Sequence, residues 1–464
     1  MLGGCSGGGM GFIFDPDSKK DALHGLGSIM LETKRELESS LPFAMDPVVF
    51  DYSVNEHGTV AELDCSNNKS IELPNGNCCQ SSEQTSDLEV LLDDLEFDVA
   101  EQEQIRVDLR RGSIGLSRNR LPGTTTLTDV TNEDVILVNR NTTTDSTHKL
   151  GIDALSAGEV GVVTLAAGVG SRWTNGAGVV KALNPFCCVG NDYRSFLDVH
   201  LAKNRRMSKQ TGTNIPHVVT TSWMTDGPIR SYVEAKGDIP LYISKGRSIG
   251  VRMIPMLRDL KFAWREQSKQ KLDEQAEKVR DSIESALMSW AKSCGEGSDY
   301  TDNIPSQCLC PVGHWYEVPN LLLNGTLARM LRDRPQLKVL MLHNIDTVGA
   351  DVDPCLLGKF LETGSTLAYE VVPRCIDDMG GGLCRVNGKP RLVESLALPS
   401  EDDELKFSYY NSLTSWINID GLLSLFGLDR QDVLAESEKI PGAIHAFSRR
   451  VPTYITIKEV KKRW

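Results

Sequence analysis

The stretch of this 464-residue chain best suited to chemistry is VVTLAAGVGSRWTNGAGVVKAL, Val162 to Leu183. A buried-strand run, Gly161 to Leu165, goes straight into a glycine-rich turn, Ala166-Ala167-Gly168-Val169-Gly170, and Lys181 follows eleven residues after Gly170. Glycines in such a turn let backbone N–H groups approach a phosphate closely. The lysine can add a point charge to the same phosphates. Two better-known phosphate patterns fail. Arg172 and Trp173 stand where a dinucleotide fingerprint needs its last glycine, and no Gly-Lys-Ser/Thr closes a P-loop. Taken alone, the segment fits either a phosphate cradle or a plain structural turn. Taken alone, Asp346 is more often a helix-cap or loop carboxylate than a metal ligand, and His314 more often a structural hydrogen-bonder than a ligand-binding group.

Further blocks follow in order along the chain: Thr220-Thr-Ser-Trp-Met-Thr225, Pro311-Val-Gly-His-Trp315, His343-Asn-Ile-Asp-Thr-Val-Gly-Ala350, Glu370-Val-Val-Pro-Arg374, Gly380-Gly-Gly382 with Arg391-Leu-Val-Glu394, and Asn411 with Trp416. With LAAGVGSRW…VKALNP they resemble, over roughly residues 155 to 420, the UDP-sugar pyrophosphorylases of the UDP-glucose pyrophosphorylase type. The resemblance implies a Rossmann-like α/β nucleotidyltransferase domain with a mixed, mostly parallel sheet. It implies a Mg²⁺-dependent in-line transfer of UMP from UTP to a sugar 1-phosphate, with pyrophosphate leaving. Catalysis is then mainly positioning and electrostatics.

Residue by residue, the resemblance assigns nucleotide binding to Ala166, Ala167, Gly168, Gly170, Ser222 and Gly313. Lys181 and Arg374 become the catalytic, phosphate-facing cations, and Asp346 the Mg²⁺ ligand. His314, Asn344, Gly381, Glu394 and Asn411 fall where the family holds the sugar. Three departures stand out. Arg374 occupies the place of a lysine, which keeps the charge but changes its geometry. Gly380 replaces a second lysine, and Tyr242-Ile-Ser244 stands where a Phe-x-Gln element is expected. Glucose 1-phosphate is the first expectation for the sugar. Another hexose 1-phosphate, or a silent nucleotide- or sugar-binding paralogue, is the alternative.

The elements that must position these groups follow from the pattern. Pro216 to Thr221, Pro240 to Ile243, Leu337 to Leu342 and Thr366 to Val372 are short apolar runs separated by helical stretches, as in an α/β sheet with crossover helices. Leu272, Ala276, Val279, Ile283, Ala286 and Trp290 form a seam suited to core packing on one other helix, with a dimer contact as the alternative. Trp290 and Trp416 are expected in the core.

The sequence divides into 1–64, a small α+β segment; 65–150, a polar and acidic linker and extension; 151–440, the catalytic domain; and 441–464, where Val451 to Ile457 reads as a strand that begins a further β domain. Phe12 to Phe14 reads as a strand, Asp17 to Leu41 as a helix, and Val48 to Asp64 as a strand pair. LGGCSGGGMGFIFDP resembles the last glycine-rich motif of GHMP-type sugar kinases, which implies a piece of a kinase–pyrophosphorylase fusion or a gene model begun at an internal methionine, with a plain glycine-rich N-terminal cap as the alternative. Cys65 to Asp87 is poor in large apolar residues and reads as linker, and Asp87 to Arg111 is acidic and helical in pattern, with a solvated charged face as the first expectation and docking of its leucines and Ile105 on a neighbour as the alternative.

Lys plus Arg total 50 against 63 for Asp plus Glu, a net charge of −13. That disfavours nucleic acid and anionic membrane surfaces as partners. No apolar run reaches the ~18 residues of a membrane helix. Twelve cysteines without a CxxC pair fit reduced thiols in the cytoplasm better than a disulfide scaffold. UTP and a sugar 1-phosphate are the expected partners and Mg²⁺ the cofactor.

Overall fold

The computed structural model describes residues 18–36, 49, 82–95, 97–138, 144–168, 170, 180–237, 241–246, 249–267, 274–311, 313–375, 378 and 380–457. Of the N-terminal expectations, the Phe12 strand, the glycine-rich motif and the Val48 to Asp64 pair lie outside the described residues, Val49 apart. The helix is present as Lys19–Glu36.

Among the described residues, the centre of the molecule is a mixed sheet of nine strands. They are β1 (Leu127–Thr128), β2 (Val160–Leu165), β3 (His217–Thr221), β4 (Leu241–Lys245), β5 (Val339–Asn344), β6 (Leu367–Pro373), β7 (Gly382–Val386), β8 (Lys389–Val393) and β9 (Tyr409–Asn418). The order is β1-β7-β9-β5-β2-β3-β4, with β6 also on β9 and β8 on β7. Strands β5, β2, β3 and β4 run parallel. The remaining pairings, including β9 against β5, are antiparallel. This is the α/β class the alternation of apolar runs implies.

The parallel heart follows from composition. Every residue of β2 is buried, as a strand covered on both faces requires. The period of two sends Val163 and Leu165 into one core with Leu321, Leu327, Leu340 and Ile440. Val160 and Val162 enter another with Leu155, Phe360 and Trp416. Each such side chain contributes about 1.5–3 kcal/mol when fully buried. Trp416 is therefore core, as expected, and its indole N–H donates to Glu370 Oε1 at 2.7 Å.

Four expectations give way. The acidic stretch Asp87 to Arg111 is docked, not solvated: Leu88, Leu95 and Leu109 are buried. The Gln102 amide donates to the Val251 carbonyl at 3.1 Å and accepts from the Val251 N–H at 3.3 Å, pairing with the backbone of the short strand Ile249–Val251. Charge on the outer face hid an apolar inner one. Second, the polar run after Gly112 joins the sheet. Leu127–Thr128 pairs with Val386 and Arg385, and Arg385 grips Asp134 with two hydrogen bonds of 2.7 and 2.8 Å. Third, Ile283 and Trp290 are exposed, 52% and 36%. Helix Glu274–Cys294 instead buries Ala291 and packs Leu287, Met288 and Cys294 against the Val251 and Leu260 cluster. Fourth, Val451 to Ile457 forms no strand. Ile455 pairs in strand fashion with a side chain: Asn119 donates to its carbonyl at 2.6 Å and accepts from its N–H at 2.9 Å.

Candidate active site

Strands β2 and β5 are neighbours and parallel, with Leu165 opposite Asn344. Their carboxyl ends release two turns side by side, Ala166-Ala167-Gly168 and Ile345-Asp346-Thr347. Ligands of open α/β sheets bind at such carboxyl ends. The Ala166 N–H donates to Thr220 Oγ1 at 3.2 Å, and the Ile345 N–H to the Leu165 carbonyl at 3.1 Å. The Lys181 ammonium pairs with the Asp346 carboxylate across 165 residues of sequence. Lys181 is 17% exposed and Asp346 39%, so the pair faces the opening of the turns and is not core.

Gly170 is held at φ +70°, and a Cβ there would lie 2.6 Å from Lys181 Cβ. The glycine is what lets the turn fold back against the lysine stem. At the end of β3, the Ser222 N–H donates to Thr225 Oγ1 at 3.0 Å, and Thr225 reaches the Ala167 carbonyl at 3.4 Å. Ala166, Ala167, Ser222, Lys181 and Asp346 are thus drawn to one end of the parallel strands. Asn344 ends β5 beside them, its Oδ1 accepting from Ile345 N–H at 3.0 Å.

The turn carrying Asp346 is fixed from behind by helix Phe196–Thr211, which starts with a Ser195/Asp198 capping box. His200 Nε2 donates to the Ile345 carbonyl at 2.9 Å. The Lys203 ammonium donates to the Val348 carbonyl at 2.8 Å and to that of Ala350. Thr347 Oγ1 donates to the Ser412 carbonyl at 3.1 Å, tying the turn to β9.

A histidine network lies beneath the turns. Asn204 donates to His217 Nδ1 at 3.3 Å, which leaves the His217 proton on Nε2, 2.7 Å from Thr164 Oγ1. The Thr164 hydroxyl can then donate to His343 Nε2 at 3.0 Å, and His343 Nδ1 donates to the Asn344 carbonyl at 3.0 Å. The His200 ring lies tilted against that of His343, ring centroids 4.3 Å apart. Burial pushes all three imidazoles down, His200 to about 2, His217 to about 3 and His343 to about 4. They are neutral in the fold. The unfolded chain takes up these protons from about pH 6.5 downward, so stability present above that pH is lost as the pH falls towards the folded values. Denaturant midpoints are expected to drop steeply between pH 6 and pH 4, and His343→Gln to flatten the slope. An unchanged slope contradicts the neutral network.

The other expected residues divide: Gly313 and His314 lead into helix Glu317–Leu323, which packs on the parallel edge strand β4, whereas Arg374, Gly381, Glu394 and Asn411 lie on the antiparallel flank. Gly313, at φ +101°, opens the turn His314–Tyr316, and a Cβ there would meet open space. Gly313 and His314 are exposed. Arg374 donates to the carbonyls of Asp378 at 2.7 Å and Gly381 at 3.1 Å, and its guanidinium lies over the Tyr410 ring at 5.3 Å. These contacts engage it with the protein's own backbone. A Cβ on Gly381 would lie 2.6 Å from the Val393 carbonyl and 3.1 Å from Glu394 Cα, so that turn and exposed Glu394 adjoin. Asn411 Oδ1 accepts from the Leu413 N–H at 3.0 Å, bracing a bulge in which Leu413 has φ +58°. Where Phe-x-Gln is expected, the Tyr242 hydroxyl donates to Asp333 at 2.6 Å and Ser244 accepts from Asn324 at 2.8 Å.

For a divalent cation the donor set is small. Among the described residues no three His, Cys, Asp or Glu side chains gather in a metal-holding group. Asp346 supplies one carboxylate. That suits Mg²⁺, which takes one or two carboxylates and draws its other ligands from phosphates and water.

Residues 298–437 match the UDPGP family, described as UTP--glucose-1-phosphate uridylyltransferase. Among curated relatives, the UTP--glucose-1-phosphate uridylyltransferase of Saccharomyces cerevisiae is 30% identical over 128 residues, 25% of this chain and 25% of its own length. The probable UTP--glucose-1-phosphate uridylyltransferase of Schizosaccharomyces pombe is 24% identical over 283 residues, 56% of this chain and 47% of its own. The chain thus spans between a quarter and a half of the length of these relatives. A solved UDP-glucose phosphorylase from Trypanosoma brucei superposes with TM-score 0.48 at 17% identity, over 72% of this chain and 62% of that one. The Gly313 turn, Asp346, Arg374, Glu394 and Asn411 all lie within the segment that matches this family.

Proposed function

We propose that the protein is a UTP:sugar-1-phosphate uridylyltransferase, with glucose 1-phosphate as first substrate and Mg²⁺ as cofactor. The observation that carries this reading is the Lys181–Asp346 pair at the mouth of two turns leaving adjacent parallel strands. A mere binder of neutral sugar needs neither group so disposed. The backbone of Ala166 to Gly170 and Ser222 would receive the nucleotide, and Lys181 would meet its phosphates. Asp346 would hold Mg²⁺, which when bound neutralises phosphate charge and fixes the orientation of the triphosphate. His314, Asn344, Gly381, Glu394 and Asn411 would offer paired donors and acceptors to the sugar hydroxyls. Arg374 would act by shaping the 378–381 turn and, once a phosphate reaches it, by charge. A sugar 1-phosphate oxygen then attacks the α-phosphorus, the bond to the β-phosphate breaks, and pyrophosphate leaves. The fixed cation and backbone donors lower the cost of the charge that builds.

Ser244 with Asn324 in place of Phe-x-Gln favours keeping a second sugar in view, another hexose 1-phosphate such as a kinase partner would supply. The same reading makes the protein cytoplasmic, without nucleic-acid or membrane partners. Among the described residues no helix is long and apolar enough to cross a membrane. The reverse reaction tests substrate choice. With pyrophosphate and a panel of UDP-sugars, UDP-glucose is expected to yield UTP fastest. Faster UTP formation from another UDP-sugar reassigns the sugar, and UTP from none of them overturns the reading.

A further inference from the structure

Glu404 has no part in any role above, yet it is only 2% exposed. Its Oε2 accepts from the Gly380 N–H at 3.1 Å and from the Ser395 hydroxyl at 2.7 Å. Those two donors stand at matching places on two chains. Gly382 and Val393 form the end pair of the β7–β8 ladder. One residue further out come Gly381 and Glu394, and two further out Gly380 and Ser395. A single buried carboxylate oxygen therefore bridges the two chains just past the end of their ladder. Gly381 and Glu394, both expected at the sugar, lie between the ladder and the bridge.

The glycine side of this bridge has to be held through its backbone. Gly380 has φ +139°, and a Cβ on it would lie 3.2 Å from the Tyr410 ring. A Cβ on Gly381 would lie 2.6 Å from the Val393 carbonyl. Neither position has room for a side chain that could anchor the loop, and glycine leaves the backbone its widest freedom. Arg374 takes the carbonyls, that of Gly380 at 3.4 Å and that of Gly381 at 3.1 Å. Glu404 takes the Gly380 N–H. Its own turn, Glu401–Lys406, begins with a Ser400/Asp403 capping box. Phe407, which follows it, is buried in a cluster with Val393, Ala397 and Leu398. The carboxylate thus reaches the loop from a turn fixed at both ends.

Resting on the sugar reading of Gly381 and Glu394, we propose that Glu404 is a positioning residue that holds these two at the spacing a sugar 1-phosphate needs. Hydrogen bonds to a carboxylate are about twice as strong as neutral ones. Without them the glycine loop has to be ordered by the ligand itself, and that cost is taken from sugar affinity. Nucleotide affinity is spared. Ala166 and Ser222 follow β2 and β3, whereas the bridge closes the ends of β7 and β8.

The test is calorimetric titration of the whole chain, with Mg²⁺, using UDP and UDP-glucose as paired probes. Glu404→Gln keeps the shape and removes the charge. It is expected to weaken UDP-glucose about tenfold, the worth of one charge-assisted hydrogen bond, and to leave UDP unmoved. In steady state the KM for glucose 1-phosphate should rise, with kcat and the KM for UTP unchanged. Ser395→Ala cuts one of the two bonds and should show the same split at about threefold; it carries the comparison alone if Glu404→Gln does not fold. A merely structural role would lower the amount of active protein without separating the two probes. Equal losses for UDP and UDP-glucose, or none for either, overturn the inference and leave the nucleotide reading intact. Folded wild type that binds UDP but gains nothing from the glucose moiety overturns it as well. Folded wild type that binds neither probe overturns the proposed function itself.

Discussion

Lys181→Ala is expected to lower turnover about a hundred- to a thousandfold while the protein stays folded. The two effects separate by magnitude. The lysine's partner, Asp346, is 39% exposed, and ion pairs at such sites are worth about 0–1 kcal/mol. Its stem packs against the Gly170 turn, which adds a modest packing loss. A fixed cation aimed at charge that develops in the transition state is worth about 2.7–4 kcal/mol. Kinetics on Lys181→Ala, beside its denaturation midpoint, checks this. A near-parental rate removes Lys181 from the mechanism.

Asp346→Asn is expected to cost at least as much and to change the Mg²⁺ dependence. The amide keeps the shape and the turn held by His200, Lys203 and Thr347, but it is a poorer ligand for a hard cation. Several kcal/mol of charge stabilisation is at stake, so a loss of about a thousandfold is expected, with more Mg²⁺ needed for half-maximal rate. The double variant should lose less than the product of the two single losses, because both residues serve the same phosphates. An Asp346→Asn enzyme with parental rate and Mg²⁺ dependence rules out the metal assignment.

Much of this was legible in the sequence. The parallel strands were, because strands buried on both faces are written in Val, Leu and Ile. So were Lys181 and Asp346, through the glycine turn and the ordered blocks. Their meeting was not, because pairing between residues 165 apart depends on the register of β2 on β5. For Asp87 to Arg111 the lesser expectation, docking, holds; Gln102 satisfies the Val251 backbone with a side chain, which no periodicity records. The exposed Ile283 and Trp290 show the converse: apolar spacing marks a helical face without saying which face the fold covers. The histidine network carries no motif. His200 is embedded among Phe196, Leu197 and Leu201, and only burial reveals what it does.

The central claim is nucleotidyl transfer at the Lys181–Asp346 end of the sheet. Pyrophosphate release, measured for a panel of nucleoside triphosphates against a panel of sugar 1-phosphates, first with Mg²⁺ and then with EDTA, tests it most directly. The expected result is rapid release with UTP and one sugar 1-phosphate, glucose 1-phosphate first, that EDTA abolishes. No release from any pair by folded protein that still binds UTP contradicts the claim and makes the chain a silent binder of nucleotide.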